Sequence, residues 1–156
     1  MKNLPEYQFF FHLIGDYITQ TSWMAVNKVK SWLAAVTHAF VYSAPFAMLG
    51  SWQAWAVIFG THAIIDRFSL AKYVIYAKNA VTDKRYWPIN QDSKSTDFST
   101  PFGEQFTAYG ECYYRESCMA NFGYDPKTPQ HISFLCYVVA DNTLHLIINY
   151  LALKYL

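Results

Sequence analysis

Three short stretches of this chain place a histidine and an aspartate four residues apart within otherwise apolar sequence. They are His12 and Asp16 in "HLIGD", His62 and Asp66 in "HAIID", and Asp141 and His145 in "DNTLH". On a helix, side chains four apart share a face one turn apart, so each pair can converge on one point or on two adjacent points. Imidazole nitrogen and carboxylate oxygen are the donors that suit zinc, manganese or iron. A fourth histidine, His38 in "VTHAF", lies in the same apolar sequence, while His131 stands at the edge of a polar block.

The candidate metal ligands are therefore His12, Asp16, His38, His62, Asp66, Asp141 and His145. They are enough for one or two divalent metals, zinc first and manganese or iron next, with a carboxylate shared if there are two. Asp16, Asp66 and Asp141 are the catalytic candidates, one of them acting as general base rather than ligand. Gln20 and Asn149 continue two of these faces by a further turn. Two other readings use the same residues. A buried His–Asp pair is commonly a neutral, hydrogen-bonded structural contact, and intramembrane ionisable groups also build proton or ion pathways.

The elements that must position these residues look membranous. Charged residues make up 15% of the 156-residue chain and apolar residues 53%, against about 25% charged in ordinary soluble domains. Residues 31–65 contain no Asp, Glu, Lys or Arg at all. A helix needs about 20 apolar residues to cross a bilayer. Pro45, Gly50 and Ser51 can turn the chain near the middle of this run, which predicts a helical hairpin over 31–49 and 52–72. A third span is expected over 132–153. The segment 7–26 is apolar but carries Asp16 and Gln20, and is expected either to span or to lie partly in the interface. A soluble bundle with very hydrophobic core helices is the alternative, disfavoured by the length of the uncharged run.

Lys28 and Lys30, and then Arg67, Lys72, Lys78, Lys84 and Arg85, flank the apolar segments, while the connection at Gly50 has no charge. The positive-inside rule puts those charges, and the polar block 82–130, in the cytoplasm. That block is expected to form a folded cap inserted before the last helix, with a short helix around 104–119. Trp23, Trp32, Trp52, Trp55, Tyr73 and Tyr76 fall near span ends, as in an interfacial aromatic belt. At about 1.5 Å per residue, His38, His62 and Asp66 come out roughly 9–15 Å deep from the cytoplasmic ends. On the same count the other two pairs lie roughly 14–21 Å deep. A convergent cluster is geometrically attainable.

The chain is thus expected to be a single all-α integral membrane domain, a bundle of three or four spans with a cytoplasmic cap. Lys2, Glu6 and Asp16 do not fit a cleavable signal peptide. The three cysteines, Cys112, Cys118 and Cys136, read as reduced thiols, with a Cys112–Cys118 bridge as the alternative. A net charge of +1 offers no field for nucleic acid. P-loop, nucleophile-elbow and dinucleotide motifs are absent from the sequence, which withholds support from those reaction classes.

The stretches "HLIGDYITQTSWMA", "HAIIDRF" and "DNTLHLIINYLAL" resemble an uncharacterised family of small membrane proteins of bacteria and their phages. The shared order is HxxxDxxxQ, H, HxxxD, DxxxH. The resemblance covers about half the chain and implies a membrane location, the bacterial or host inner membrane, but little chemistry. In residue types the pattern is also similar to membrane-bound metal-dependent hydrolases. The expected function is accordingly metal-dependent hydrolysis of a lipid or lipid-linked phosphate ester. The alternative is a non-enzymatic, phage-encoded protein acting through a host membrane partner.

Overall fold

A computed structural model describes residues 4–82 and 118–156, with side chains from residue 7 onward at the N-terminal end. The described residues are mostly helical, with no strand among them. They belong to two compact units, Met1–Ala71 with Val138–Leu156, and Lys72–Tyr137. Most of the expected cap, including the helix around 104–119 and Cys112, lies outside the described residues.

The first unit holds every candidate ligand. Its chain begins with α1 (Leu4–Leu13), runs into a π-helical turn over Ile14–Ile18, and breaks before a short α2 (Ser22–Asn27). The segment 7–26 is therefore not one continuous helix. Thr21 explains where α2 starts: it is extended, and its hydroxyl accepts from Met24 N at 3.3 Å, satisfying a donor left open at the helix start. The π turn places Asp16 where the helix widens, a departure that recurs at functional sites.

Next come α3 (Trp32–Ser43) and a 3-10 turn over Ala44–Met48 entered through Pro45. After the turn at Gly50, Ser51 caps α4 (Trp52–Phe68) by accepting from Ala54 N at 3.1 Å. This is the hairpin expected from sequence, but α4 stops at Phe68. Ser69 takes up the left-handed conformation there, φ 50°, and its N–H caps the carbonyls of Ile65 and Asp66. Helices α3 and α4 pack side by side. Both present small buried residues, Ala34, Ala35 and Ala39 from one and Ala54 and Ala63 from the other, which lets the backbones approach.

Helix α5 (Leu70–Thr82) leaves this unit after Ala71, and α6 (Gln130–Tyr155) returns to it from Val138. At 26 residues, α6 is long and apolar enough to cross a membrane, and only 11% of its most apolar window is buried. It is the one described helix that meets that description.

The first unit buries several polar side chains beside its apolar core and exposes many large apolar ones. Gln8, His12, His38, Ser43, His62, Asp66, His145 and Asn149 are buried, while Phe10, Leu33, Phe40, Ile64, Ile147 and Leu151 are exposed. A small apolar cluster of Tyr42, Phe46, Ala54, Ile58 and Ala152, with Phe11, Leu49 and Leu153 against it, closes one side of the polar interior.

The second unit contains the rest of α5, a helical turn at residues 118–120, and the start of α6. Its loop is locally built. Asn121 Nδ2 donates to the carbonyls of Asp125 and Thr128 at 2.8 and 3.0 Å, and Asn79 Nδ2 donates to Gly123 O at 3.1 Å. Gly123, at φ 87°, allows the loop to lie on α5, since a Cβ there would stand 2.3 Å from Lys72 O.

Candidate metal centre

Four elements of the first unit bring six of the seven candidate residues to one place. Asp16 comes from the π turn, His38 from α3, His62 and Asp66 from successive turns of α4, and Asp141 and His145 from successive turns of α6. Each helix supplies its residues from a face spaced by fours, such as Ala54, Ile58, His62 and Asp66 on α4.

The innermost atoms are Asp16 Oδ1, His38 Nε2, His62 Nε2 and Asp66 Oδ2. His38 Nε2 is 3.2 Å from Asp16 Oδ1, 3.2 Å from Asp66 Oδ2 and 3.0 Å from His62 Nε2. His62 Nε2 in turn is 3.5 Å from Asp16 Oδ1 and 3.2 Å from Asp66 Oδ2. Donors about 2.0–2.1 Å from a tetrahedral ion stand about 3.3–3.4 Å from one another. The five separations have that size, and the donors lying within 4.8 Å of one another fall into two groups, Asp16 with His38 and His62, and Asp66 with His62 and His145.

Hydrogen bonding does not account for the same cluster. Each Nε2 faces another ring nitrogen and two carboxylate oxygens, and an imidazole nitrogen carries at most one proton. Asp16 Oδ1, Asp141 Oδ1, His145 Nε2, His38 Nδ1 and His62 Nδ1 are buried with no hydrogen-bond partner among the described residues. Leaving a buried polar atom unpaired costs about 1–3 kcal/mol. A cation among the four inner atoms gives Asp16 Oδ1 the partner it lacks. The donor set, two imidazoles and two carboxylates, also suits zinc or manganese. The residues present therefore fit a divalent metal.

The His62 ring is held by stacking rather than through its other nitrogen. The Tyr42 ring lies 3.7 Å from it, centroid to centroid, at 17°. Gly15 makes room for that tyrosine, since a Cβ at position 15 would stand 2.4 Å from Tyr42 Cδ2.

His12 has a different set of neighbours. Its Nδ1 is 2.8 Å from Tyr42 Oη and 3.4 Å from Asp16 Oδ2, and its Nε2 is 3.0 Å from Asn142 Oδ1. Tyr42 Oη accepts from Asn149 Nδ2 at 2.6 Å, and Asn142 Nδ2 donates to Tyr17 Oη at 2.6 Å. One consistent direction runs along this chain: Asn149 donates to Tyr42, Tyr42 to His12 Nδ1, His12 Nε2–H to Asn142, and Asn142 to Tyr17. Both nitrogens of the His12 ring are thereby engaged outside the inner four atoms.

Electrostatically the centre carries three aspartates and one nearby cation. Lys28 Nζ donates to Asp66 Oδ2 at 3.0 Å, its side chain 20% exposed and the carboxylate 3%. The other carboxylate oxygen of Asp66 faces α6, with Oδ1 3.7 Å from His145 Nε2. His145 Nε2 is also 3.6 Å from Asp141 Oδ2. Arg67 points elsewhere, its guanidinium over the Trp32 and Phe68 rings and donating to Val29 O. Lys72 lies over the Tyr73 ring.

Sequence reasoning missed Tyr42, Asn142 and Lys28. Tyr42 stands four residues after His38 and Asn142 lies inside "DNTLH", so their spacing was visible. Lys28 gave no such signal and read only as a topology-setting charge. Asn149 was noted as extending the Asp141–His145 face, and it does so by holding Tyr42. No protein-family model, no curated protein and no solved structure matches this chain.

Proposed function

We propose that the first unit is a membrane-embedded metal centre that hydrolyses a phosphate ester of a lipid or lipid-linked substrate. The observation that carries the reading is the set of five separations of 3.0–3.5 Å among Asp16 Oδ1, His38 Nε2, His62 Nε2 and Asp66 Oδ2. A divalent ion bound at this centre would supply Lewis-acid polarisation of a phosphoryl oxygen and a bound water of pKa about 7.

The chain's own residues have distinct parts. Asp16, His38, His62 and Asp66 bind the ion. Tyr42 fixes the His62 ring and, through His12 and Asn149, ties α1, α3 and α6 together. Lys28, part exposed and against Asp66, would supply positive charge beside a phosphoryl group bound at this centre.

The many exposed large apolar side chains and the length of α6 support a membrane location. The three- or four-span bundle, with its cationic loops in the cytoplasm, extends that location. The α3 segment with its 3-10 turn covers about 28 Å and α4 about 25 Å, close to a hydrocarbon core of about 30 Å. Membership of the bacterial and phage family rests on the order of the three motifs.

The Lys28–Asp66 ion pair favours a second reading, in which polar contacts hold the bundle together and the protein acts on a host membrane partner. Elemental mass spectrometry on the full chain in mild detergent separates the two. Bound zinc, manganese or iron, absent from a folded His38→Asn/His62→Asn variant, is the expected result and opens a screen of phosphoester substrates. A stable wild type that takes up no metal, even after incubation with zinc or manganese, overturns the hydrolase.

A further inference from the structure

We infer that Asp66 Oδ1, Asp141 and His145 form a second divalent-cation subsite, joined to the first through the Asp66 carboxylate. The inference rests on the metal centre proposed above and specifies how many ions it holds and which one is open to substrate.

The Asp66 carboxylate divides its oxygens between two groups of donors. Oδ2 lies 3.2 Å from both His38 Nε2 and His62 Nε2, while Oδ1 turns to His145 Nε2 at 3.7 Å. Asp141 Oδ2 stands 3.6 Å from the same nitrogen. These distances exceed hydrogen-bond reach. They match the separation of about 3.6 Å expected between donors about 2.2 Å from a tetrahedral ion.

A second observation points to a ligand. His145 is 2% exposed, yet among the described residues its Nε2 has no hydrogen-bond partner, and neither does Asp141 Oδ1. One cation in this position partners the imidazole nitrogen and turns a costly buried lone pair into a ligand. One donor atom each from His62, Asp66 and His145 lies within 4.8 Å of the others, so the two groups adjoin.

The two subsites differ in how completely the protein surrounds them. The first draws on Asp16, His38, His62 and the Oδ2 atom of Asp66, whereas the second has three donors, the pattern that leaves a position for water or substrate. Asp141, 16% exposed, is also the less enclosed of its two carboxylates. A phosphoryl oxygen would therefore be received at the Asp141–His145 side, with the other ion holding Asp66 in place.

Manganese alone is the probe. The full chain in detergent is loaded with Mn2+, washed, and read by elemental analysis and by electron paramagnetic resonance. The wild type should retain two equivalents with an exchange-coupled spectrum. Asp141→Asn and His145→Gln should each retain one, with the uncoupled six-line signal of an isolated ion. One equivalent in wild type and variants alike overturns the second subsite and leaves the first standing. Two equivalents without coupling overturn the shared carboxylate. No retained manganese, or zinc in its place, overturns both proposals. The wild-type spectrum decides the matter even where a variant fails to fold.

Discussion

His12 and His38 are both fully buried imidazoles on neighbouring helices, and both come within 3.5 Å of Asp16. Their surroundings nevertheless differ in kind. Around His12, donors and acceptors alternate from Asn149 through Tyr42 and Asn142 to Tyr17, and each polar group in the chain has its complement. Around His38, lone pairs face lone pairs at similar distances, and Asp16 Oδ1 is left with none. A satisfied network is stable by itself, whereas a group of converging acceptors is stable only with a cation or protons among them. The lesson is that distance alone does not separate a structural histidine from a ligand. The order of donors and acceptors does.

The largest expected effect comes from Asp66→Asn, which removes the carboxylate proposed as a ligand on both sides of the centre. Metal retention should fall by about 100-fold or more, measured by elemental analysis on variant protein whose helix content is unchanged. The His12 chain should survive this change. Retention at the wild-type level would erase the distinction between the two networks.

Acid should come next. The imidazoles proposed as ligands must be unprotonated to bind, so stabilisation by added zinc is expected to fall as the pH is lowered. Each nitrogen in competition with protons costs at most about 10-fold in affinity per pH unit, so two cost at most about 100-fold. Thermal unfolding with and without zinc between about pH 8 and pH 5 measures it. A zinc-dependent rise in Tm that is the same at both ends would count against histidine ligands.

Gly15→Ala tests the point where the networks meet. Its methyl would enter the Tyr42 ring, which both stacks on His62 and bonds to His12. Overpacking of this kind costs about 1–3 kcal/mol. Both thermal stability and metal affinity should drop, and a loss in only one of them would show that Tyr42 serves a single network.

Tyr42→Phe should have the smallest effect and the sharpest meaning. It keeps the stacked ring but removes the hydroxyl between His12 and Asn149, costing about 1–3 kcal/mol for the buried groups left unpaired. Metal stoichiometry should remain that of the wild type. A variant that loses metal would place His12 and its partners inside the ligand set.

Much of this was legible in the sequence because helices impose a fixed period. His12–Asp16, His62–Asp66 and Asp141–His145 were recognisable as one-face pairs, and an uncharged run broken at Pro45 and Gly50 announced the α3–α4 hairpin. The all-α class followed from the same pattern. Less legible were the places where one residue changes the backbone: the π turn at Asp16, the break before Ser22, and the left-handed Ser69 that ends α4 early. Each depends on hydrogen bonds that close only when the neighbouring turn is already formed.

By itself the sequence determined which residues could act as ligands and on which helical faces they stand, because spacing by four is a local property of the chain. Only the tertiary structure decided how those faces are used. It engaged both nitrogens of His12 with Tyr42 and Asn142, brought Lys28 to Asp66 across 38 residues, and turned the two oxygens of Asp66 toward different helices. Those outcomes depend on the rotation of α1, α3, α4 and α6 about their own axes. That rotation is set by packing, through Gly15 and the alanine faces of α3 and α4. The period of a single helix does not contain it.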